Sequence, residues 1–547
     1  MKHYFTRLQE QIREHWDAPA LSNYKGESFT FGELAGHIEK FHILFEAAGV
    51  KKGDKIALCA KNSARWAISF LAANTYEAVT VPILSDFHPD SINALVNHSE
   101  SLLLITDEDL WKKLDPGKMP ALRGVLSTKD FSLLYCTDTS LEVSMKSIED
   151  KFSARYPHGF GPSDVSFPTD NDKEIALINY TSGTTSAPKG VMIRYESISS
   201  NIEFGLDFMP CSFGETMVSM LPLAHMYGMA FEFLYPLCGG VHVYFLGKTP
   251  TPSLLLGAMA AVKPYLVVTV PLVMEKVFKG SILPVLKKPA VRLLTKIPGV
   301  NGIIFKKIRE KIMSAFGGNV RMIIMGGAAL NPEVEAWFRK FRLPYTVGYG
   351  MTECAPLLGY EHWTKFAQKS CGKCVERVEV RIDSEDPQHV VGEIQARGTN
   401  IMSGYYKNPE ATEAAFTSDG WLRTGDLGVI DAQGNIFIRG RSKSMILTSN
   451  GQNIYPEEVE AAVNNQPYVI ESVVVDRGAK LVALVYLDKD RLAADGIGED
   501  SLKQVTDSLM SAVNRSMPSY SKLAKVEVVD RPFEKTPKMS IKRFLYK

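Results

Sequence analysis

Between residues 55 and 106 short apolar runs alternate with helix-spaced segments: KIALCA, ARWAISFLAANTYE, AVTVPIL, DSINALVNHSE and SLLLIT. Strands that are apolar at every position are buried on both faces, and strands a helix-length apart are joined by crossovers. This order therefore specifies βαβ units and a parallel sheet clothed by helices on both sides. The same texture returns at MVSMLP, PYLVVTVP and VRMIIMGG, which predicts one large α/β body. From about residue 375 it gives way to VEVRIDSED, GEIQARG and NIFIRGR, short strands punctuated by turn residues. They predict an antiparallel, β-barrel-like subdomain over about 375–440. After GRSKSM comes a compact α+β pattern: YPEEVEAAVNNQ and 501–515 as helices, IESVVVDR, LVALVYLD and AKVEVVD as strands. The expected division is a large domain over 1–440, a junction at 441–443 and a small α+β domain over 444–547.

At 547 residues several modules can share such a body, and 62 basic against 61 acidic side chains leave no global charge that calls for nucleic acid. The opening MKHYFTRLQEQIREHWDAP is charged throughout and lacks the apolar centre of a secretion signal, and no long uncharged run suggests a membrane span. Seven scattered cysteines fit reduced thiols, so a cytoplasmic protein is expected. Cys371 and Cys374 have C-x-x-C spacing, but with no second pair they read as ordinary thiols. One local bias stands out. Residues 275–311 hold ten Lys or Arg against two Glu, a net of +8, interleaved with Ile, Leu, Val and Phe. Two readings stay open: a solvated basic face over helices that pack inward, or a peripheral contact with an anionic membrane face.

The stretch YTSGTTSAPKG (180–190) follows the apolar run IALIN. It lacks the G-x-x-x-x-G-K-[ST] spacing of a Walker loop, because Lys189 follows Pro188. The chemistry of an anion cradle remains: turn amides, the hydroxyls of Thr181, Ser182, Thr184 and Thr185, the freedom of Gly183, and one cation in Lys189. The longer string YTSGTTSAPKGVMI resembles the signature of the adenylate-forming enzymes, the superfamily of acyl-CoA synthetases, luciferases and peptide-synthetase adenylation domains. LPLAHMYGM (221–229), GGAALNPE (326–333), GYGMTECAP (348–356), GWLRTGDLG (420–428) and GRSKSMILTSNGQNIYPEEVE (440–460) follow in that family's order. KPYLVVTVPLVMEKVF is similar to the long-chain fatty acyl-CoA synthetases in particular.

The resemblance implies activation of a fatty acid of medium to long chain by ATP, through an acyl-adenylate, to a coenzyme A thioester. Both reactants are anions, so positioning and charge neutralisation would dominate catalysis. By matching positions, Thr184 and Glu353 would bind Mg²⁺. Thr181 to Lys189 would cover the phosphates, and Thr352 would contact the α-phosphate. Tyr349, Gly350 and Met351, with Gly327, Ala328 and Ala329, would enclose the adenine. Asp426 would take the ribose hydroxyls, Arg441 would add a second ribose or phosphate contact, and His225 would sit near the substrate carboxylate or gate its path. Lys443 would be the hinge on which the small domain turns, and Gly451 would line the thiol tunnel. Taken singly, Asp426 suits a turn, Glu353 a helix start and Arg441 a solvated surface; their shared order favours the site.

The acyl substrate is inferred from the apolar stretch after His225 and from the absence of an acid over 226–231, where amino-acid-activating relatives pair the amine. No carrier domain precedes the end at Lys547, so coenzyme A is the expected acceptor and an acyl-carrier protein the alternative. Two departures qualify the match. Ser186 stands where most relatives have Gly, and KTPKMSIKR places Ser540 where the adenylating Lys is expected. Lys538 is the expected substitute, with Lys542 its rival. Loss of that lysine would leave a nucleotide-binding pseudoenzyme with a regulatory role.

Overall fold

The computed structural model describes residues 1–546 apart from 182–187, 249, 448–452, 479, 519–520 and 537–540. Its largest sheet has eight strands, in the order Gly404–Tyr405, Lys189–Arg194, Ile175–Thr181, Val79–Pro82, Lys55–Cys59, Leu103–Thr106, Gly124–Ser127 and Leu133–Cys136. The inner strands are parallel, as the all-apolar runs require, and Val79–Pro82 and Leu103–Thr106 are buried at every position. Both flanks turn antiparallel, so the sheet is mixed rather than parallel throughout. For two of these pairs the reason is local: Lys189–Arg194 and Leu133–Cys136 follow their neighbours by hairpin-length connections, too short to house a crossover, whereas Gly404–Tyr405 joins the edge from a distant part of the chain.

Helices start where the sequence supplies caps. Thr30 and Glu33 form a reciprocal capping box on Phe31–Ala47, and Ser63 accepts from the Trp66 amide at the start of Ala64–Thr75. Ala64–Thr75 is buried almost throughout, with Trp66 stacked on Phe70 and both edge-on to Phe233. Those rings belong to the main core, which joins this sheet to a second of Thr216–Ser219, His242–Phe245, Pro19–Asn23 and Ser28–Thr30. A third sheet, wholly parallel, contains Leu266–Thr269, Met322–Met325 and Tyr345–Val347.

Residues 378–441 form a four-stranded antiparallel sheet, Val378–Asp383, Gly392–Gly398, Leu422–Ile430 and Ile436–Arg441. Its outer strands, the first and last, do not pair with each other among the described residues, so the barrel-like expectation is corrected to an open sheet. The expected strands are there, but four strands are too few to close around a filled interior.

Beyond it, Val469–Asp476, Leu481–Leu487 and Leu523–Val529 form a three-stranded sheet packed against helices Pro456–Asn464 and Leu502–Ser516. Pro456–Asn464 also rests on Ile436–Arg441: Arg439 pairs with Glu458 at 3.7 Å, and a side chain at Gly440 would meet Glu457 and Tyr455. Among the described residues no helix is long and apolar enough to cross a membrane. All seven cysteines are free. Burial pushes the Cys371 thiol up to about 12 and Cys374 to about 11.

Candidate functional site

The three strands of the parallel sheet end on one edge, and the chain leaving that edge carries 326–330 (GGAAL) and 348–353 (GYGMTE). Ligands of open α/β sheets bind outside this carboxyl edge. Gly326 lets the backbone lie against Tyr227, whose ring a Cβ would approach to 3.0 Å; Gly327 follows at φ +82°, and Gly327, Ala328 and Ala329 are exposed. At Gly350 a Cβ would stand 2.1 Å from the Pro356 carbonyl oxygen, so only glycine permits this approach. The Met351 amide donates to that same oxygen at 2.9 Å. A single tight turn, Thr352–Cys354, then holds Thr352 and Glu353 half-buried, and the Met402 amide donates to the Glu353 carbonyl at 2.9 Å.

Asp426 and Arg441 are cross-strand partners in the antiparallel sheet, with Arg441 Nε 2.9 Å from Asp426 Oδ1. The Tyr349 hydroxyl donates to Asp426 Oδ2 at 2.8 Å. Three motifs from separate parts of the sequence thus meet on one carboxylate. Burial raises Asp426 above the usual carboxylate range, outweighing the opposing pull of Arg441 and Tyr349. With two of about four lone-pair positions taken, it retains acceptor capacity for a diol.

Glu353 has a partner that no motif suggested. The Tyr405 hydroxyl donates to Glu353 Oε1 at 3.0 Å, and Lys189 Nζ lies 4.7 Å from the centre of the Tyr405 ring. Tyr405 reaches this position because Gly404–Tyr405 pairs antiparallel with Lys189–Arg194. Its only signal in the sequence was SGYYKNPE, which falls between two recognised motifs. Among the described residues no group of three or more His, Cys, Asp or Glu could hold a metal ion. A single carboxylate with a nearby hydroxyl is the kind of donor set Mg²⁺ uses when phosphate oxygens complete its shell.

His225 is half-buried on the loop between Thr216–Ser219 and a short helical turn, Met226–Gly228, and three side chains hold that loop. Asn62 brackets it, donating to the Leu221 carbonyl at 2.6 Å and accepting from the Leu223 amide at 2.9 Å. Asn179 donates to the Ala224 carbonyl at 2.8 Å. Glu232 is fully buried, and its Oε2 accepts from the amides of Met220 and Leu221 at 2.9 and 2.8 Å and from the Ser219 hydroxyl at 3.2 Å. Glu232 lies one position past the window searched for an amine partner, and it is committed to backbone. Met229–Leu234 is a π-helical stretch buried in the main core. The apolarity of 229–238 is therefore accounted for by packing and does not itself mark an acyl pocket.

Other expected positions are dispersed. The Thr181 hydroxyl is 3.4 Å from the Lys189 carbonyl that it donates to, at the mouth of the Ser/Thr-rich loop. Ser182, Gly183, Thr184, Thr185, Ser186, Gly451, Lys538 and Ser540 lie outside the described residues. Lys443 is exposed on the turn that leaves Ile436–Arg441. Lys542 is 3.4 Å from Glu534, and Lys535 and Ile541 pair antiparallel on either side of the segment containing Lys538.

The sequence matches the model of the AMP-binding enzyme family over residues 8–406 and that of the AMP-binding enzyme C-terminal domain over 443–546. A relative named long-chain-fatty-acid–CoA ligase FadD15, from Mycobacterium tuberculosis, is 26% identical over 94% of this chain and 89% of its own. Another, the chloroplastic long-chain-fatty-acid–[acyl-carrier-protein] ligase AEE15 of Arabidopsis thaliana, is 25% identical over 94% of this chain and 80% of its own. Among solved structures, ATP-bound MatB from Rhodopseudomonas palustris superposes with a TM-score of 0.77 at 22% identity, covering 100% of this chain and 98% of that one.

Proposed function

The chain belongs to the AMP-binding enzyme family, and from that premise we propose that it joins a fatty acid to coenzyme A at the expense of ATP. The observation that carries the reading is the meeting of Tyr349, Arg441 and Asp426 beside the Glu353 turn, at the carboxyl edge of a parallel sheet. A buried carboxylate with spare acceptors suits a ribose diol, and Tyr349 with Gly327, Ala328 and Ala329 suits a flat base. In the first step a carboxylate oxygen of the fatty acid attacks the α-phosphorus and pyrophosphate leaves. In the second a thiol attacks the acyl carbonyl and AMP leaves. Lys189 and the hydroxyls of Thr181 and Thr352 would hold phosphate oxygens, and His225 would face the incoming carboxylate. Thr184 and Glu353 would hold Mg²⁺, which when bound neutralises phosphate charge. Tyr405 orients Glu353 for that task.

The name of the carrier-protein ligase among the relatives supports acyl-carrier protein as the other acceptor. Ser540 motivates the pseudoenzyme reading, which expects ATP binding without turnover. The test incubates the protein with ATP, Mg²⁺, a panel of fatty acids and either coenzyme A or acyl-carrier protein. Pyrophosphate release with acyl-CoA formation is expected, and Lys538→Ala should lose about 10²- to 10³-fold of the first half-reaction while Lys542→Ala does not. No pyrophosphate at any chain length overturns the reading.

A further inference from the structure

Helices Leu283–Lys287, Pro289–Leu294 and Val300–Ala315 cover the parallel sheet that carries the adenine-side loops. Their inner side is filled: Leu286, Ile312 and Phe316 are buried, with Val291, Phe305 and Ile308 packed behind them. A solvated basic face would need nothing apolar outside. Yet of thirteen large apolar side chains exposed among the described residues, four fall within residues 293–303: Leu293 at 65%, Leu294 at 39%, Ile297 at 41% and Ile303 at 60%. On Val300–Ala315 the helical repeat places Ile303, Lys306, Lys307 and Glu310 along one exposed ridge, opposite Phe305, Ile308 and Ile312. Lys287, Lys288, Arg292 and Lys296 are exposed around Leu293, Leu294 and Ile297.

Most of the positive charge on this surface has no acidic partner among the described residues. Of the two acids in the strip, Glu275 accepts the Asn331 amide at 3.0 Å and is partly buried, and Glu310 lies 3.9 Å from Lys306, the one ion pair within 275–311 among the described residues. Lys279 is turned to another part of the chain, donating to the Asn464 carbonyl at 3.1 Å.

We propose that the outer face of residues 287–311 is a docking surface for an anionic lipid bilayer, with Leu293, Leu294, Ile297 and Ile303 entering the headgroup boundary and the surrounding Lys and Arg contacting lipid phosphates. Charge complementarity selects an anionic partner, and the aliphatic side chains select the bilayer among anionic partners. Nucleic acid backbones and acidic peptides gain little from exposed leucine, whereas the boundary between headgroups and acyl chains takes both kinds of side chain. No turnover enters the argument, so the surface stands or falls apart from the ligase reading.

The test is flotation of the full chain with vesicles of phosphatidylcholine alone, or with about 30% phosphatidylglycerol, at low salt and at about 0.5 M salt. Binding is expected to the anionic vesicles only, and to weaken with salt. Each neutralised basic residue near the surface is worth about fivefold, so K287E/K288E/R292E/K296E should abolish flotation. L293S/L294S/I297S/I303S should weaken it by at least about tenfold with all charges intact. All eight side chains are exposed, so both variants are expected to fold, and a circular dichroism spectrum and melting temperature are to be compared with those of the parent. Equal flotation with neutral vesicles, indifference to the aliphatic variant, self-association through this face, or displacement by duplex DNA at equal charge would each overturn the proposal.

Discussion

Glu232 occupies a position where an ionised carboxylate is expensive: it is fully buried, three donors converge on Oε2, and Oε1 has no hydrogen-bond partner among the described residues. Burial drives it well above the usual glutamate range, against those three hydrogen bonds. Gln keeps the shape of the side chain and one oxygen acceptor without the charge. Its NH2 would stand where Oε1 has no partner, so Glu232→Gln should cost about 1–3 kcal/mol, less than the alanine variant. Glu232→Ala strands two buried amides and should cost about 2–5 kcal/mol, read from the urea midpoint. Equal damage from both variants would mean that the charge is needed. The same scale shows what motif reading can and cannot reach. Asp426, Arg441 and Tyr349 were legible because each sits inside a recognisable string. Tyr405, Asn62, Asn179 and Glu232 were not, because their roles exist only where distant segments meet.

At the scale of elements, Pro456–Asn464 faces two ways, resting on Ile436–Arg441 with one side and on the C-terminal sheet with the other. Its Glu460 accepts from the Val474 amide at 2.6 Å and contacts Arg543. Burial nevertheless pushes the Glu460 carboxyl up to about 7, more than Arg543 pulls it down. A folded-state value raised above the unfolded one contributes stability that is complete below about pH 4.5 and lost as pH rises through about 7. Amide hydrogen exchange of this helix should consequently quicken between pH 5 and pH 8 beyond the intrinsic pH effect, by about 1–3 kcal/mol of opening free energy. Glu460→Gln should flatten that trend, and an unchanged trend would assign it to other groups. Most helices and strands were legible from period and caps. The mixed sheet and the open antiparallel sheet were not, since edge pairing depends on which strands become neighbours.

At the scale of the whole molecule, residues 444–546 follow an exposed turn at Lys443, the proposed hinge, which would give that segment a second placement for the second half-reaction. Among the described residues, contacts that hold the present placement include Arg439 to Glu458, Lys279 to the Asn464 carbonyl and Asn331 to Asn465, with Gly440 lying close against Tyr455. Proline at 443 would fix φ and stiffen the turn. Lys443→Pro is expected to keep pyrophosphate release, with hydroxylamine trapping the adenylate, and to slow thioester formation by at least about tenfold. Equal loss in both half-reactions would remove Lys443 from the role of hinge.

The order of apolar runs, the caps, and the sequence of motifs were properties of the chain itself, since each depends on neighbours within a few residues or on residue types at fixed spacing. They determined an α/β body, a following antiparallel sheet, an α+β end and the family. Tertiary structure alone decided which carboxylate receives Tyr349 and Arg441, and which tyrosine restrains Glu353. It also decided that Phe231, Phe233 and Leu234 are core while Leu293 and Ile303 are outside. Apolar residues with similar local spacing can face either a packed sheet or the surroundings. Only the positions of the other elements, hundreds of residues away in the chain, determine which.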